Sequence, residues 1–257
     1  MVTGSVIVGV DCAVQAKAVG LARAEPTASG LLVADACTGR DVGDVAGTIV
    51  QWLRQAPTGL LAVDAPLGWP LPLSEELAGH RAGRLLGQDA ATLFRRTTDG
   101  VVWQHVGRLP LDVGADRIAR TAHAALALLA EVRARSGFEL PLAWTPGDLQ
   151  APCAIEVYPA ATLLSLGLPA KAYKRAAHRL VREEIVSGLS ASDARVTFVE
   201  GVADVLLERP DALDAAICAV AGADFLSGRV VSPADQALAE REGWIWFRPP
   251  ATEFGPS

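Results

Sequence analysis

The chain has 257 residues, of which 51% are hydrophobic and 20% charged, with 24 glycines and 16 prolines. That balance excludes a disordered, collagen-like or coiled-coil chain, and a length prior of roughly 150 residues per domain allows one large α/β domain or two small ones. The net charge of −6 argues against avid, nonspecific binding to a polyanion, which depends on Lys and Arg neutralising phosphates.

The apolar excess is not a membrane span. Residues 215–223 form one of the longest charge-free apolar runs, and Asp224 ends it well short of the ~20 residues that a bilayer crossing needs. The first basic residue is Lys17 and Asp11 interrupts the first apolar run, so a secretory signal is not written here. A soluble, cytoplasmic protein without membrane contact is the expectation. Cys12, Cys37, Cys153 and Cys218 include no Cys-x-x-Cys pair, which predicts reduced thiols rather than a zinc knuckle or a disulfide framework.

In chain order, the β-branched run from Ser5 reads as a strand ending in the carboxylate of Asp11. Two more short strands, at about 16–24 and 31–37, follow across turn-forming Pro26, Ser29 and Gly30, which predicts an antiparallel meander. An amphipathic helix over about 41–55 leads into a fourth strand, 60–64, again ending in an acid, Asp64. A helix between two strands implies a parallel crossover. The middle, about 74–150, reads as a mainly helical insertion interrupted by a polar loop at 95–100. A fifth strand, 154–159, carries Glu156; a helix over 173–189 follows, and a last one opens at Pro210 and Asp211, proline being a first-turn residue. This order is the skeleton of a ribonuclease H-like α/β fold: a mixed five-stranded sheet of a meander plus two parallel strands, helices on both faces, one domain over 1–257.

Asp11, Asp64 and Glu156 thus sit at or near strand ends, at the sheet edge where open α/β sheets bind ligands. Asp211 and Asp214, three residues apart, share a helix face. Taken singly, Asp11 and Asp64 fit turn formers and Asp211 a helix-dipole partner equally well. Glu156, flanked by Ile155 and Val157, needs a partner. Converging carboxylates repel one another and need a cation or a shared proton, and an all-oxygen donor set suits Mg²⁺ or Mn²⁺. Two such ions would support phosphodiester hydrolysis, with all five acids as catalytic and metal-binding candidates. Lys171, Lys174, His178 and Arg182 recur at helical steps beside Arg175 and Arg179, which predicts a basic stripe for an anionic substrate; the bland alternative is a solvated face. Arg95 and Arg96 are further candidates for phosphate contact. The chain has no Gly-x-Gly-x-x-Gly, Walker or Gly-x-Ser-x-Gly motif.

Eight short motifs in order, Gly9-Val10-Asp11, Val63 to Gly68, Phe94 to Asp99, Asp116 to Ile118, Ile155 to Ala160, Tyr173-Lys174, Asp211 to Ala215 and Glu242 to Ile245, resemble the domain-of-unknown-function family 429. The resemblance spans nearly the whole chain and implies an RNase H-like fold and nuclease activity, the latter predicted for the family from its fold and acids. The last helix also resembles that of RuvC-type resolvases, which implies that Asp11 bridges two metals, Asp64 and Glu156 complete the strand ligands, and Asp211 or Asp214 closes the second site. RNase H-like folds host several chemistries, so fold alone does not choose the substrate. A metal-dependent nuclease acting on DNA or RNA is the leading expectation. A small-molecule phosphohydrolase or nucleotide-binding protein is the second, and a non-catalytic scaffold the third, favoured if the acids prove dispersed or paired to arginines.

Overall fold

A computed structural model describes residues 4–250 apart from 115 and 148. The first three strands, β1 (Ser5–Asp11), β2 (Gly20–Thr27) and β3 (Gly30–Thr38), form the expected meander. Helices α1 (Gly39–Val42) and α2 (Val45–Leu53) lead to β4 (Thr58–Asp64), which pairs parallel to β1. Four helices follow: α3 (Leu71–Ala78), α4 (Ala90–Phe94), α5 (Thr97–Val106) and α6 (Asp116–Ser136). Then come β5 (Cys153–Val157), α7 (Pro159–Ser165), α8 (Arg179–Ala191), β6 (Val196–Phe198), α9 (Val202–Glu208), α10 (Pro210–Leu226), α11 (Gln236–Glu242) and β7 (Ile245–Trp246).

The sheet is mixed and has seven strands, in the order β6-β3-β2-β1-β4-β5-β7. The five expected strands form its centre, and β6 and β7 extend its two edges, each pairing parallel to its neighbour. At three and two residues, these edge strands are too short to show a period in the sequence. Other boundaries shift for local reasons. The helix expected over 41–55 is broken at Gly43, whose φ of 71° ends α1, and Asp44 caps α2 by accepting the Gly47 N–H at 3.0 Å. The polar loop at 95–100 is in large part the start of α5, where Asp99 accepts the Arg96 backbone N–H at 2.9 Å. The helix expected from Tyr173 begins only at Arg179, after a short 3₁₀ turn over Ala176–His178.

Helices cover both faces. On one, Val6, Val8, Val10, Leu61 and Val63 pack against Ile49 and Leu53 of α2 and Ala125, Leu129 and Val132 of α6. On the other, Ile7, Ala22, Ala62 and Ile155 pack against α10, whose buried residues include Ala215, Ala216, Ala219 and Val220. A helix apolar on every side belongs inside a protein. Its small side chains let it lie close to the sheet, and two glycines permit the contact. A Cβ on Gly9 of β1 would stand 1.9 Å from the Ala215 carbonyl oxygen, and one on Gly20 of β2 would stand 1.9 Å from that of Asp211. This approach sets the first turns of α10 beside the end of β1. All four cysteines are free thiols. Among the described residues, no helix is long and apolar enough to cross a membrane.

Candidate metal centre

Register explains which acids meet. Asp11 pairs directly with Asp64 across the parallel β1–β4 ladder, so both side chains leave the sheet on one face. Gly9, two residues before Asp11, meets α10, so this is the α10 face. Asp214, one turn into that helix, completes the group. One carboxylate oxygen from each of Asp11, Asp64 and Asp214 lies within 4.8 Å of the others.

Glu156 behaves differently, because on β5 it pairs with Val63 rather than Asp64. The offset of one residue turns its side chain to the opposite face of the sheet. There it is buried and held by Arg96, Nη1 to Oε2 at 2.9 Å and Nη2 to Oε1 at 2.7 Å, while Oε2 also accepts the Leu67 N–H at 2.9 Å. Arg96 spans onward to Asp99, Nη2 to Oδ1 at 3.0 Å. Arg96 thus borders the same cleft as the aspartates, with its guanidinium committed to two carboxylates. Nearby, the buried Glu242 accepts the N–H groups of Leu71 and Thr97 at 2.8 and 2.9 Å, fixing the turns that flank this pair.

The basic stripe does not form, because residues 171–175 precede the helix. Lys174 instead makes an ion pair with Asp214 Oδ2 and sits 3.5 Å from Asp11 Oδ2. Its neighbour Tyr173 is buried and donates its hydroxyl to Asp214 Oδ1 at 2.7 Å. Arg182 is buried too and donates to the carbonyls of Leu207, Tyr173 and Arg175 at 2.6, 2.7 and 3.0 Å. Arg179 pairs with Glu183 and Glu208. Arg175 is exposed, His178 ends the 3₁₀ turn, and Arg95 lies 3.4 Å from Asp112 at the surface. Asp211 is partly exposed and outside the carboxylate group, although its charge raises the pKa of both Asp11 and Asp214.

Electrostatics mark the three aspartates as a strained set. Burial pushes the Asp11 carboxyl well up from its ordinary value, and the Asp214 charge adds to it. Burial also lifts Asp64 from 3.8 to about 7, against the pull of Lys174. Asp214 rises by burial as well, moderated by Lys174 and Tyr173. Burial works against the Lys174 ammonium, but Asp214 and Asp11 outweigh it and hold its pKa above the usual lysine value. These groups line a cleft of about 410 Å³ whose other walls include Arg108, Tyr158, Thr121 and the Arg96–Glu156 pair, whose carboxylate adds to the rise at Asp64. No sequence pattern marks Arg108, and Tyr173 stands out only within the Tyr173-Lys174 motif.

The donor set fits a hard divalent cation. Around an octahedral Mg²⁺ with bonds of about 2.1 Å, neighbouring oxygens stand about 3.0 Å apart and opposite ones about 4.2 Å, so three carboxylates within 4.8 Å of one another reach one ion by drawing together. No curated protein matches the chain. A family model does: the family described as a protein of unknown function (DUF429) matches residues 9–238, and the chain belongs to that family.

Proposed function

We propose that the chain is a divalent-metal-dependent phosphodiester hydrolase of RNase H-like architecture, with nucleic acid as its substrate. The observation that carries this reading is the convergence of Asp11, Asp64 and Asp214 from β1, β4 and α10 at one end of the central strands. The strand order β3-β2-β1-β4-β5, antiparallel through β1 and parallel beyond it, supports the fold assignment. Asp11, Asp64 and Asp214 would hold Mg²⁺ or Mn²⁺, which supplies a Lewis acid that activates water and stabilises charge at phosphorus. Tyr173 orients Asp214 through its hydroxyl, and Lys174 keeps a positive charge at the mouth of the cleft. Arg108, on the cleft wall, adds a second positive charge there while donating to the Ala170 carbonyl at 2.5 Å. Glu156 serves a different purpose, fixing Arg96 and the turn at Leu67. Of the five candidate acids, only Glu156 is paired to an arginine among the described residues, so the condition that favours a scaffold is met at Glu156 and not at the three aspartates.

The test is cleavage of labelled single-stranded, duplex and branched DNA and RNA with Mn²⁺ or Mg²⁺, comparing the wild type with Asp11→Asn. Metal-dependent cleavage lost in the variant supports the reading; equal activity in both, or none on any substrate, overturns it. A second reading, a phosphohydrolase of small phosphodiesters or nucleotides, is favoured by the dissolution of the basic stripe. Without it, residues 171–182 present no continuous helical row of cations to follow a long polyanion. Hydrolysis of bis-p-nitrophenyl phosphate with no cleavage of any nucleic acid would select it.

A further inference from the structure

We propose that this centre binds a single divalent ion and that the Lys174 ammonium takes the place of a second. The proposal rests on the metal reading above and departs from the two-ion arrangement that the sequence suggests.

The number of donors comes first. Five acids in one cluster would serve two ions, but among the described residues only Asp11, Asp64 and Asp214 bring carboxylate oxygens within 4.8 Å of one another. The one-residue offset of β5 sends Glu156 to the other face, where Arg96 occupies both of its oxygens. Asp211 stays outside the group. Three carboxylates can complete one hard-ion shell with water, whereas a second shell would depend almost wholly on shared oxygens.

Charge points the same way. Three ionised aspartates are balanced by one divalent ion together with one ammonium. A second divalent ion would leave a net positive charge beside Asp11 and Asp214, both buried, where uncompensated charge is costly. Lys174 is already in contact with Asp214 and near Asp11.

Finally, the lysine is held in place rather than free to swing across the surface. Tyr173, on one side of it, is anchored on Asp214. Arg182 grips the carbonyls of the residues on both sides, Tyr173 and Arg175, from a buried position. Residue 172 adopts a φ of 67°, a conformation an alanine adopts only under constraint, at the start of this segment. An ammonium has three N–H donors, more than the contact with Asp214 uses, and the Lys174 side chain is partly exposed toward the cleft.

Counting Asp11-dependent Mn²⁺ by electron paramagnetic resonance and titration calorimetry on the full chain tests this. The wild type is expected to bind one ion, lost in Asp11→Asn. Lys174→Met, confirmed as folded by circular dichroism, is expected to bind a second ion or to hold the first more than about tenfold tighter, as removal of a neighbouring like charge requires. Lys174→Arg keeps the count at one. Two Asp11-dependent ions in the wild type overturn the proposal and leave the metal reading intact, and this count needs no variant at Lys174. One ion of unchanged affinity in Lys174→Met also overturns it. Mn²⁺ binding that is absent, or indifferent to Asp11→Asn, overturns the metal reading and this inference together.

Discussion

Arg96 holds both oxygens of Glu156 at 2.7 and 2.9 Å, with both side chains almost wholly removed from water. Burial pushes the Glu156 carboxyl up and the guanidinium pulls it back. Removing one partner of such a pair leaves a buried charge uncompensated, at a cost of about 3–5 kcal/mol, whereas replacing both with apolar groups is often near neutral. Arg96→Met is therefore expected to lower stability by about 4 kcal/mol in a urea titration, and Arg96→Met with Glu156→Leu to recover much of it. If Glu156 were instead a metal ligand, Glu156→Gln would abolish Mn²⁺ binding; retained binding is the outcome expected here.

The three aspartates lead to the opposite expectation. Asp11 is raised by burial and by Asp214, so at neutral pH its ionisation works against the native state. Asp11→Asn removes that repulsion. In EDTA the variant is expected to be more stable than the wild type by about 1–2 kcal/mol, a few degrees in a thermal melt. An unchanged or lower melting temperature would mean that the acids do not repel one another in the metal-free protein.

Proton and metal compete for the same oxygens. The Asp64 carboxyl rises from 3.8 to about 7 on folding, so between these values the native state keeps a proton that the unfolded chain has lost. Its contribution to metal-free stability therefore falls as pH climbs through this window, by up to ~1.4 kcal/mol per pH unit, and levels off above the folded value. Metal binding must expel that proton at low pH and not at high pH. The rise in melting temperature on adding Mn²⁺ is expected to be larger at about pH 8 than at about pH 6. A shift of the same size at both would exclude Asp64 as a ligand with this titration.

Asp11, Asp64 and Asp214 were legible in the sequence because each follows a local signal: a β-branched run stopping at an acid, or a proline opening a helix. Glu156 has the same signal and a different fate, because inter-strand register is decided by tertiary packing and one residue of offset reverses the face. Arg96 lay in what read as a polar loop, since its buried partner is 60 residues away in the chain. The spacing of Lys171, Lys174, His178 and Arg182 was helical by coincidence. Arg182 is on a helix, but it is buried to bind carbonyls, a use of arginine that composition cannot distinguish from a solvated charge. The meander and the parallel strands were legible because runs of β-branched and apolar residues bounded by acids and turn formers mark them; the two edge strands, of three and two residues, are too short to form such a run.

That clamp makes a prediction of its own. Arg182→Met leaves three carbonyls without their charged donor, those of Leu207, Tyr173 and Arg175, of which the Tyr173 bond is buried. A cost of about 3 kcal/mol is expected by chemical denaturation. Mn²⁺ affinity should also rise, because Lys174 is then less firmly held against Asp214. Destabilisation with unchanged affinity would make the clamp purely structural.

Gly9 tests why the acids meet at all. Its missing side chain lets α10 approach β1 until the Ala215 carbonyl stands where a Cβ would be, at 1.9 Å. The obstacle is main chain on a buried helix, which cannot rotate away as a side-chain end would. Gly9→Ala must therefore push α10 outward, and Asp214 with it, at an expected cost of ~3 kcal/mol or more. Because Asp11 and Asp64 stay together on β1 and β4, the variant separates the helix acid from the strand acids without removing any carboxylate. Mn²⁺ affinity is expected to fall in a folded Gly9→Ala protein by calorimetry, and the more conservative Gly222→Ala, where the added Cβ meets only side-chain atoms of Ile7, Leu60 and Ala62, should spare it. Full Mn²⁺ affinity in Gly9→Ala would show that the approach of α10 to β1 is not what brings Asp214 to the strand acids.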